Sequence, residues 1–294
     1  MPIIWAHSLL SFTRSGKYVI VEGYMFLLWH AVSTYLSALR IGVVTLLRGR
    51  WVEGAKQLIA PVGYWRLWPN AVILSQYRSK GPQRILDVSS PKLPSLILGR
   101  HAEIWATDLD DPQLMSRWKV TADSLGLDRY HTQYENACAL SFPDAEFDLV
   151  YSISVIEHIT EHGDTQALAE FARVTKLGGT VIVEVPYRRQ RQEISHHYDS
   201  KGAPLAAPQF YERYYDREWL DSRLQAPGLT REQCWILGEW LPIDPWIAAP
   251  RLPRPLRLLI LPLEPLLAMI NYWMRPDDTA GRPLAALIVF RRTN

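Results

Sequence analysis

The fold of this chain is decided by residues 136–159, NACALSFPDAEFDLVYSISVIEHI, and by residues 169–183, AEFARVTKLGGTVIV. Apolar runs predict strands at Phe147–Ser152 and Thr180–Val185, because buried strands are short and rich in aliphatic residues. Between them, Ala, Leu and Phe recur at helical spacing over Thr165–Thr175, which predicts a helix. A strand, a helix and a further strand in this order are typical of a parallel α/β sheet.

The same alternation extends outward on both sides of this segment. Gly178-Gly179 is predicted to end the helix, since glycine tolerates the positive φ of a helix C-terminus. We expect an α/β domain over residues 81–294, doubly wound around a mostly parallel sheet, with an apolar insertion near 245–280. Residues 1–80 are predicted to form an N-terminal apolar helical extension. Further strands are predicted at Arg84–Val88, Glu103–Asp108, around Tyr134–Cys138, at Cys234–Gly238 and at Leu287–Arg291.

Two of the predicted strands end in an aspartate. Asp87 ends the first strand and is followed by the small residues Ser89 and Ser90, while Asp108 ends the next strand. In a doubly wound sheet, ligands bind beyond the carboxyl ends of the strands, where small residues let the backbone approach them closely. A carboxylate at the second strand end can accept both hydroxyls of a ribose. Taken alone, each strand end is also compatible with an ordinary turn.

The motifs between Arg84 and Pro186 resemble those of the class I S-adenosylmethionine-dependent methyltransferases. The resemblance is to the branch with D-A-x-x-L-P-F, F-D-x-V, E-H and R-V-L-K-P-G-G motifs, which here read NACALSF, FDLV, EH and RVTKLGG. The motifs follow in order over about fifty residues, which is far more specific than one glycine-rich turn. The resemblance implies a Rossmann-like fold and S-adenosylmethionine as the cofactor.

The resemblance also implies a role for particular residues. Asp87 would lie near the methionine part of the cofactor, Asp108 would bind its ribose, and Leu109 would lie beside its adenine. Asn136 and Ala137 match a further adenine contact, and the strand end at Ser152 and Ile153 would face the sulfonium. The cofactor-binding residues implied are therefore Asp87, Ser89, Ser90, Asp108, Leu109, Asn136, Ala137, Ser152 and Ile153.

The sequence departs from the family pattern mildly at Asn136 and Leu177, and most strongly after the first strand. Ser89, Pro91 and Leu93 stand where the family has three glycines after the first strand. Proline removes a backbone N–H and fixes φ, so this loop must take another path. We therefore expect cofactor binding that is measurable but weaker than is usual for the family.

His158 and Tyr187 are the candidate catalytic residues. A histidine titrates near neutral pH, so His158 of the Glu157-His158 pair could take a proton from an acceptor, although it could equally pack at a helix start. Tyr187 begins the aromatic and Arg-rich segment after the fifth strand, which suits an aromatic, glycosyl or anionic acceptor but is also compatible with a solvated turn. A single Glu-His pair gives weak support for a metal, and we predict none.

Composition limits the partners and the compartment. Lys and Arg number 32 against 30 Asp and Glu, so the net charge of +2 does not predict a nucleic-acid partner. Cys138 and Cys234 do not form a disulfide framework, which fits a reducing cytoplasm, and no signal peptide is predicted.

Two apolar stretches, Tyr18–Leu47 and Arg251–Trp273, carry basic residues at or near their edges. The first is interrupted by Glu22, His30 and Arg40, so we expect it to pack on the domain or to lie on a membrane surface rather than to span a bilayer. The second could be a membrane-surface element, a lid over a hydrophobic acceptor or a dimer contact.

The sequence thus favours methyl transfer from S-adenosylmethionine to a small-molecule or lipid- or glycosyl-linked acceptor, in a cytoplasmic protein with possible peripheral membrane contact. The alternative is a catalytically inactive relative that serves as a binding or scaffold protein at a membrane surface. A nicotinamide oxidoreductase is disfavoured, because no G-x-G-x-x-G follows the first strand.

Overall fold

The computed structural model describes residues 16–77, 83–109, 112–198, 204–243 and 259–294. The described helices are α1 (Gly16–Leu47), α2 (Trp51–Ile59), α3 (Leu67–Gln76), α4 (Leu93–Leu98), α5 (Pro112–Ser124), α6 (Gly163–Val174), α7 (Arg217–Arg223) and α8 (Glu264–Asn271). The described strands are β1 (Arg84–Val88), β2 (Glu103–Asp108), β3 (Tyr130–Tyr134), β4 (Phe147–Ile153), β5 (Thr175–Pro186), β6 (Gln192–Tyr198), β7 (Pro204–Tyr214), β8 (Leu229–Glu239), β9 (Tyr272–Arg275) and β10 (Arg282–Arg292). Short 3₁₀ helices cover Tyr64–Arg66, Ile156–His158 and Leu261–Leu263.

Eight of the described strands form one sheet in the order β3-β2-β1-β4-β5-β10-β8-β9. Strands β1 to β5 pair in parallel, whereas β10 is antiparallel to both β5 and β8, and β9 is antiparallel to β8. This confirms the predicted α/β, doubly wound and mostly parallel sheet. The strand order reverses between β1 and β4, and such a switch point opens a crevice at the carboxyl ends of the strands.

Both faces of the sheet are covered by helices. Because successive residues of a strand point to opposite faces, Ile85 of β1 packs into the core beneath α3, α4 and α5, and Leu86 packs into the core beneath α6 and α7. Trp68 of α3 and Phe171 of α6 are among the largest buried side chains of the two cores. The two cores hold the strand ends of the switch point at fixed positions.

The third strand lies earlier than predicted, at Tyr130–Tyr134 and not around Tyr134–Cys138. The residues that follow it form a tight turn instead. The Asn136 side-chain oxygen accepts a hydrogen bond from the backbone N–H of Cys138 at 2.9 Å, and the Asn136 carbonyl accepts one from Ala139 at 2.9 Å. Asparagine offers the backbone this local alternative to strand pairing, which explains the shift.

The prediction that Gly178-Gly179 ends a helix is wrong. Helix α6 ends at Val174, and Thr175 already has an extended backbone. Gly178 does have a positive φ of 72°, but it lies inside β5, where the register with β4 shifts between Phe147 and Leu149. The two glycines therefore accommodate an irregularity of a strand.

The N-terminal extension packs on the α3–α5 side of the domain. Helix α1 contacts α2, α3 and α4. A Cβ atom at Gly54 of α2 would lie 2.8 Å from the carbonyl oxygen of Gly42 in α1, so these two glycines allow the helices to approach closely. Trp68 of α3 donates from Nε1 to the carbonyl oxygen of Tyr272 at 2.5 Å. The extension is thus tied to the C-terminal part of the sheet.

The described part of the predicted insertion contains α8 and β9, and residues 244–258 lie outside the described residues. Strand β9 extends the sheet beyond β8, and buried polar groups join α8 to the extension. The backbone N–H of Tyr64 donates to Glu264 at 2.9 Å, and the Asn271 amide donates to the Tyr64 hydroxyl at 2.7 Å. The insertion and the extension therefore form one continuous side of the molecule.

Candidate cofactor and acceptor site

The loop after β1 meets the end of β4 at the switch point. The Ser90 hydroxyl accepts a hydrogen bond from the backbone N–H of Ile153 at 2.8 Å, and the Ser152 hydroxyl donates to the carbonyl of Val88 at 3.3 Å. Four of the predicted cofactor-binding residues, Ser89, Ser90, Ser152 and Ile153, are therefore in one place.

Asp87 lies beneath this loop and is fully buried. Its Oδ1 accepts hydrogen bonds from the Lys92 ammonium at 2.8 Å and from the Ser90 backbone at 3.1 Å, and its Oδ2 accepts one from the Tyr151 hydroxyl at 2.8 Å. Burial raises the pKa of Asp87, while the attraction of Lys92 opposes that shift. Through these contacts, Asp87 stabilises the loop that follows β1. A contact between Asp87 and a cofactor stays a prediction.

Ser89 keeps the backbone conformation that glycine normally supplies. Its φ is 53°, in the left-handed region that costs a non-glycine residue conformational energy. Its backbone N–H donates to the Thr107 carbonyl of β2 at 2.9 Å, which secures this conformation. Ser89 thus has the left-handed backbone conformation that a glycine at this position would adopt without strain.

Asp108 and Asn136 lie at neighbouring strand ends on the β2–β3 side of the switch point. Asp108 is half-buried, and its carbonyl accepts a hydrogen bond from the backbone N–H of Glu135 at 3.1 Å. Leu109 beside it is 54% exposed, Asn136 is exposed and Ala137 is buried. A partly exposed carboxylate beside exposed apolar surface suits a ribose next to a flat base.

His158 and Glu157 follow β4 in a 3₁₀ helix and differ in their surroundings. The His158 ring nitrogen Nδ1 lies 2.7 Å from the Tyr211 carbonyl oxygen of β7, and the ring remains partly exposed. Glu157 is fully buried, and its Oε2 has no hydrogen-bond partner among the described residues. Burial raises the pKa of Glu157 well above its usual range, and repulsion from Glu184 adds to that shift.

Glu184 and Arg66 continue this group of charges toward the N-terminal extension. Glu184 of β5 is buried, and its Oε2 lies 3.0 Å from Nη1 of Arg66. Burial raises the pKa of Glu184, and Arg66 opposes the shift. The extension therefore contributes a guanidinium to the carboxyl edge of the sheet, beside the end of β4.

Tyr187 lies directly after β5 and is buried, and its hydroxyl donates to Asp278 at 2.8 Å. Burial raises the pKa of this phenol, and the Asp278 carboxylate adds to the shift. Both effects favour the neutral phenol. Through its hydrogen bond to Asp278, Tyr187 links the end of β5 to the connection between β9 and β10. A catalytic role for Tyr187 stays a prediction.

The segment after β5 forms the two-stranded sheet of β6 and β7, which passes over the 3₁₀ helix that carries His158. Arg213 of β7 is buried and donates from Nη2 to the Glu161 carbonyl at 2.8 Å. Asp216 then caps α7 by accepting a hydrogen bond from the backbone N–H of Trp219 at 2.9 Å. This two-stranded sheet therefore covers the 3₁₀ helix after β4, where the sequence predicts the acceptor.

Three residues of the site, Lys92, Arg66 and Glu184, escaped sequence analysis, and Glu157 was noted only as the neighbour of His158. For Lys92 a sequence signal existed: Asp87 and Lys92 lie on either side of a short turn, a spacing that allows an ion pair. No local signal connects Arg66 with Glu184, which are 118 residues apart. Among the described residues, no group of three or more His, Cys, Asp or Glu side chains could hold a metal ion.

Comparison with known proteins agrees with this geometry. Residues 89–183 match the family model of a methyltransferase domain. Uncharacterized proteins of Mycobacterium tuberculosis and Mycobacterium bovis are 35% identical over 147 residues, which is 46% of this chain and 48% of each relative. The chain spans about half the length of the mycobacterial relatives it matches.

One of the solved structures similar to this chain agrees with it in fold. The cyclase SpnF is 18% identical, with a TM-score of 0.52 over 76% of this chain and 80% of its own. A methyltransferase from Methanosarcina mazei described as S-adenosylmethionine-dependent is 13% identical, with a TM-score of 0.48 over 76% of this chain and 97% of its own.

The sheet order, with its switch point between β1 and β4, defines a protein of the class I methyltransferase fold. Its residues 89–183 match the methyltransferase-domain family, and S-adenosylmethionine is the cofactor that this family implies. The residues present fit this cofactor at the adenosine end, where Asp108 offers a carboxylate and Leu109 offers exposed apolar surface. At the methionine end, the loop of Ser89 and Ser90 keeps a glycine-like course.

Proposed function

We propose that this protein transfers the methyl group of S-adenosylmethionine to a small-molecule or lipid-linked acceptor. The match of residues 89–183 to the methyltransferase-domain family carries the proposal, because this range contains the loop after β1 and the ends of β2, β3 and β4. When bound, the cofactor supplies an electrophilic methyl group on a sulfonium. Asp108 would accept the ribose hydroxyls, Leu109 and Ala137 would contact the adenine, and the Ser90–Ile153 junction would lie toward the sulfonium.

The acceptor side would orient a nucleophile and dispose of its proton. An acceptor O–H or N–H would lose its proton as it takes the methyl group that the bound cofactor supplies, so a residue of the site would have to accept that proton. Glu157 and His158 are the titratable groups that follow β4, and a raised pKa makes the ionised form of Glu157 the stronger base. Orientation between β4 and β7 supplies most of what such a transfer requires.

The outer face of α1 supports a lipid-linked acceptor. This face is apolar, and the described residues leave it exposed. The buried face of α1 carries Ala31, Thr34, Ala38, Ile41 and Thr45. An apolar helix with only one buried face leaves the other unpartnered, and a bilayer surface can cover it. The outer face carries Met25, Trp29, Leu36, Val43 and Leu47.

Charge favours an anionic membrane as the partner of this face. Arg40 is the only Asp, Glu, Lys or Arg in residues 25–47, and Arg48 and Lys56 are exposed beyond the end of α1. Met25–Leu47 is long and apolar enough to cross a bilayer by length and composition, but its packing on α2, α3 and α4 favours a helix that lies along the surface. Exposed Leu263, in a 3₁₀ helix that contacts α2, and Ile270 of α8 extend the apolar surface.

Labelled methyl transfer tests the proposed function. Purified protein is incubated with methyl-labelled S-adenosylmethionine and, separately, with the lipid extract and the soluble extract of cells that encode it. We expect label in an organic-soluble product, and much less with Asp108→Ala. Label only in a water-soluble product would contradict the lipid-linked acceptor. Cofactor binding without transfer to either extract would favour the alternative function, a non-catalytic scaffold at a membrane surface.

A further inference from the structure

Lys92 is a buried charge beneath the loop that follows β1. Its side chain is 2% exposed, and its ammonium donates to Asp87 at 2.8 Å and to the Thr107 carbonyl at 3.2 Å. The same nitrogen lies 4.4 Å from the centroid of the Trp118 ring of α5. Lysine is rarely buried without such partners, because an unpaired charge in the interior is costly. Each face of the ammonium is thus occupied by a different element of the fold.

This arrangement joins the parts of the protein that surround the methionine end of the predicted site. Lys92 lies at the start of α4, Asp87 is in β1, Thr107 is in β2 and Trp118 is in α5. Asp87 passes the connection on to β4 through Tyr151. One side chain therefore fixes the relative positions of two strands and two helices at the switch point.

The loop above Lys92 needs such support because it lacks glycine. A glycine-rich loop reaches its ligand because it has no side chains and adopts positive φ freely. Here Ser89 holds a φ of 53° and Pro91 has no backbone N–H to donate. Lys92 is the charged residue of this loop, and its ion pair with Asp87 fixes the loop to β1.

We propose that Lys92 is a positioning residue of the cofactor site, whose ion pair with Asp87 holds loop 89–92 in the form that receives the methionine end of the cofactor. The proposal rests on the proposed function. Lys92 lies under the loop and acts through Asp87 and Ser90 rather than by touching the cofactor. Its main effect is therefore expected at the amino-acid part of the ligand, although its bond to the Thr107 carbonyl also reaches the residue beside Asp108.

Two ligands separate the ends of the site. S-adenosylhomocysteine carries both adenosine and the amino-acid part, whereas 5′-methylthioadenosine carries adenosine without the amino acid. We expect Lys92→Met to weaken the binding of S-adenosylhomocysteine about tenfold or more, as follows if loop 89–92 then adopts its binding form only about a tenth of the time or less. We expect the affinity of this variant for 5′-methylthioadenosine to stay within about threefold of wild type. Calorimetry measures both affinities.

A double variant distinguishes positioning from a purely structural role. Lys92→Met alone leaves the Asp87 carboxylate buried without its cation, so it lowers the thermal midpoint and can fail to fold. Lys92→Met with Asp87→Asn removes both charges, which is often close to neutral for stability. We expect this double variant to recover thermal stability but not S-adenosylhomocysteine affinity. Lys119→Met, which changes an exposed lysine of α5, is the matched control. We expect it to change neither the thermal stability nor the affinity for S-adenosylhomocysteine.

Several outcomes would overturn the proposal. One is unchanged S-adenosylhomocysteine affinity in Lys92→Met, and another is an equal loss for both ligands. A third is a double variant that recovers affinity together with stability, because the ion pair would then serve the fold alone. Wild-type protein that binds neither ligand would defeat the proposed function as well, whereas the other outcomes leave that function intact.

Discussion

At the residue scale, the charges that organise this protein are buried and paired. Asp87 with Lys92 fixes the cofactor side of the site, and Asp164 with Arg223 fixes the side of α6 and α7. Asp164 Oδ1 and Oδ2 each lie 2.7 Å from the Arg223 guanidinium, and Oδ2 also accepts a hydrogen bond from Tyr215 at 2.6 Å. Removing one member of such a buried group costs far more than removing an exposed ion pair.

The stability contributed by Asp164 depends on pH. Burial pushes its pKa upward, but the hydrogen bonds from Arg223 and Tyr215 outweigh burial and hold the pKa below the ordinary value of 3.8. Because the folded-state pKa is depressed, the contribution is complete above 3.8 and is lost as the pH falls through the lowered value. We expect Asp164→Asn to lower the free energy of unfolding by about 3 kcal/mol at neutral pH.

Urea unfolding across pH measures this effect. The gap between wild type and Asp164→Asn narrows below about pH 4. Asp144→Asn removes an exposed partner of Arg173 and serves as the control, with a change of less than about 1 kcal/mol. A gap that stays constant down to the lowest pH at which the protein folds would contradict the account of Asp164.

Residues that end a strand could be placed from the sequence. Residues whose role depends on an ion pair with another part of the chain could not. Asp87 and Asp108 end strands that periodicity predicts, so their place at the sheet edge followed directly. Lys92 and Arg66 acquire their roles from Asp87 and Glu184, and those contacts exist only after the turn has formed or the extension has packed. Side-chain pairing across a fold leaves no periodic signal in the chain.

At the element scale, apolar patterns predicted the sheet well and its irregular parts poorly. The predicted strands at β1, β2, β4, β5, β8 and β10 are present, whereas β3 is displaced by the turn at Asn136. The sequence left the packing of α1 open, because an apolar pattern that surrounds the whole helix does not indicate which face will be buried. The structure divides it into a buried small-residue face and an exposed large-residue face.

The exposed face of α1 predicts selective vesicle binding. We expect the protein to float with vesicles of phosphatidylglycerol and phosphatidylcholine more than with phosphatidylcholine alone, because arginine is attracted to anionic headgroups. High salt weakens the binding, since exposed charges are screened. Trp29→Gln with Leu36→Gln reduces it, because both side chains lie on the exposed face.

Leu177→Gln, which changes an exposed leucine of β5 outside this face, is the matched control and leaves vesicle binding unchanged. Equal flotation of wild type and the α1 double variant would show that this face does not contact lipid. Resistance of the membrane-bound protein to alkaline extraction would instead show that the helix spans the bilayer.

At the scale of the whole molecule, the strand order gathers residues that are far apart in sequence at one edge of the sheet. The ends of β1, β2, β3 and β4 supply the predicted cofactor residues, and β5 and β7 add the acceptor side. The extension and the insertion enclose the other side through Tyr64, Glu264 and Asn271. The strand ends that carry the predicted cofactor residues and the apolar outer face of α1 thus belong to one packed arrangement, which is what our proposal of a lipid-linked acceptor needs.

Calorimetric titration of the wild-type protein with S-adenosylhomocysteine tests the central claim most directly, with NAD as the contrasting ligand. The account predicts one saturable site for S-adenosylhomocysteine and none for NAD. Asp108→Ala should weaken that site by roughly 10- to 100-fold through loss of a charge-assisted hydrogen bond. Asp123→Ala, which changes an exposed aspartate of α5, should leave it unchanged. Absence of S-adenosylhomocysteine binding, or equal binding in Asp108→Ala, would contradict the account.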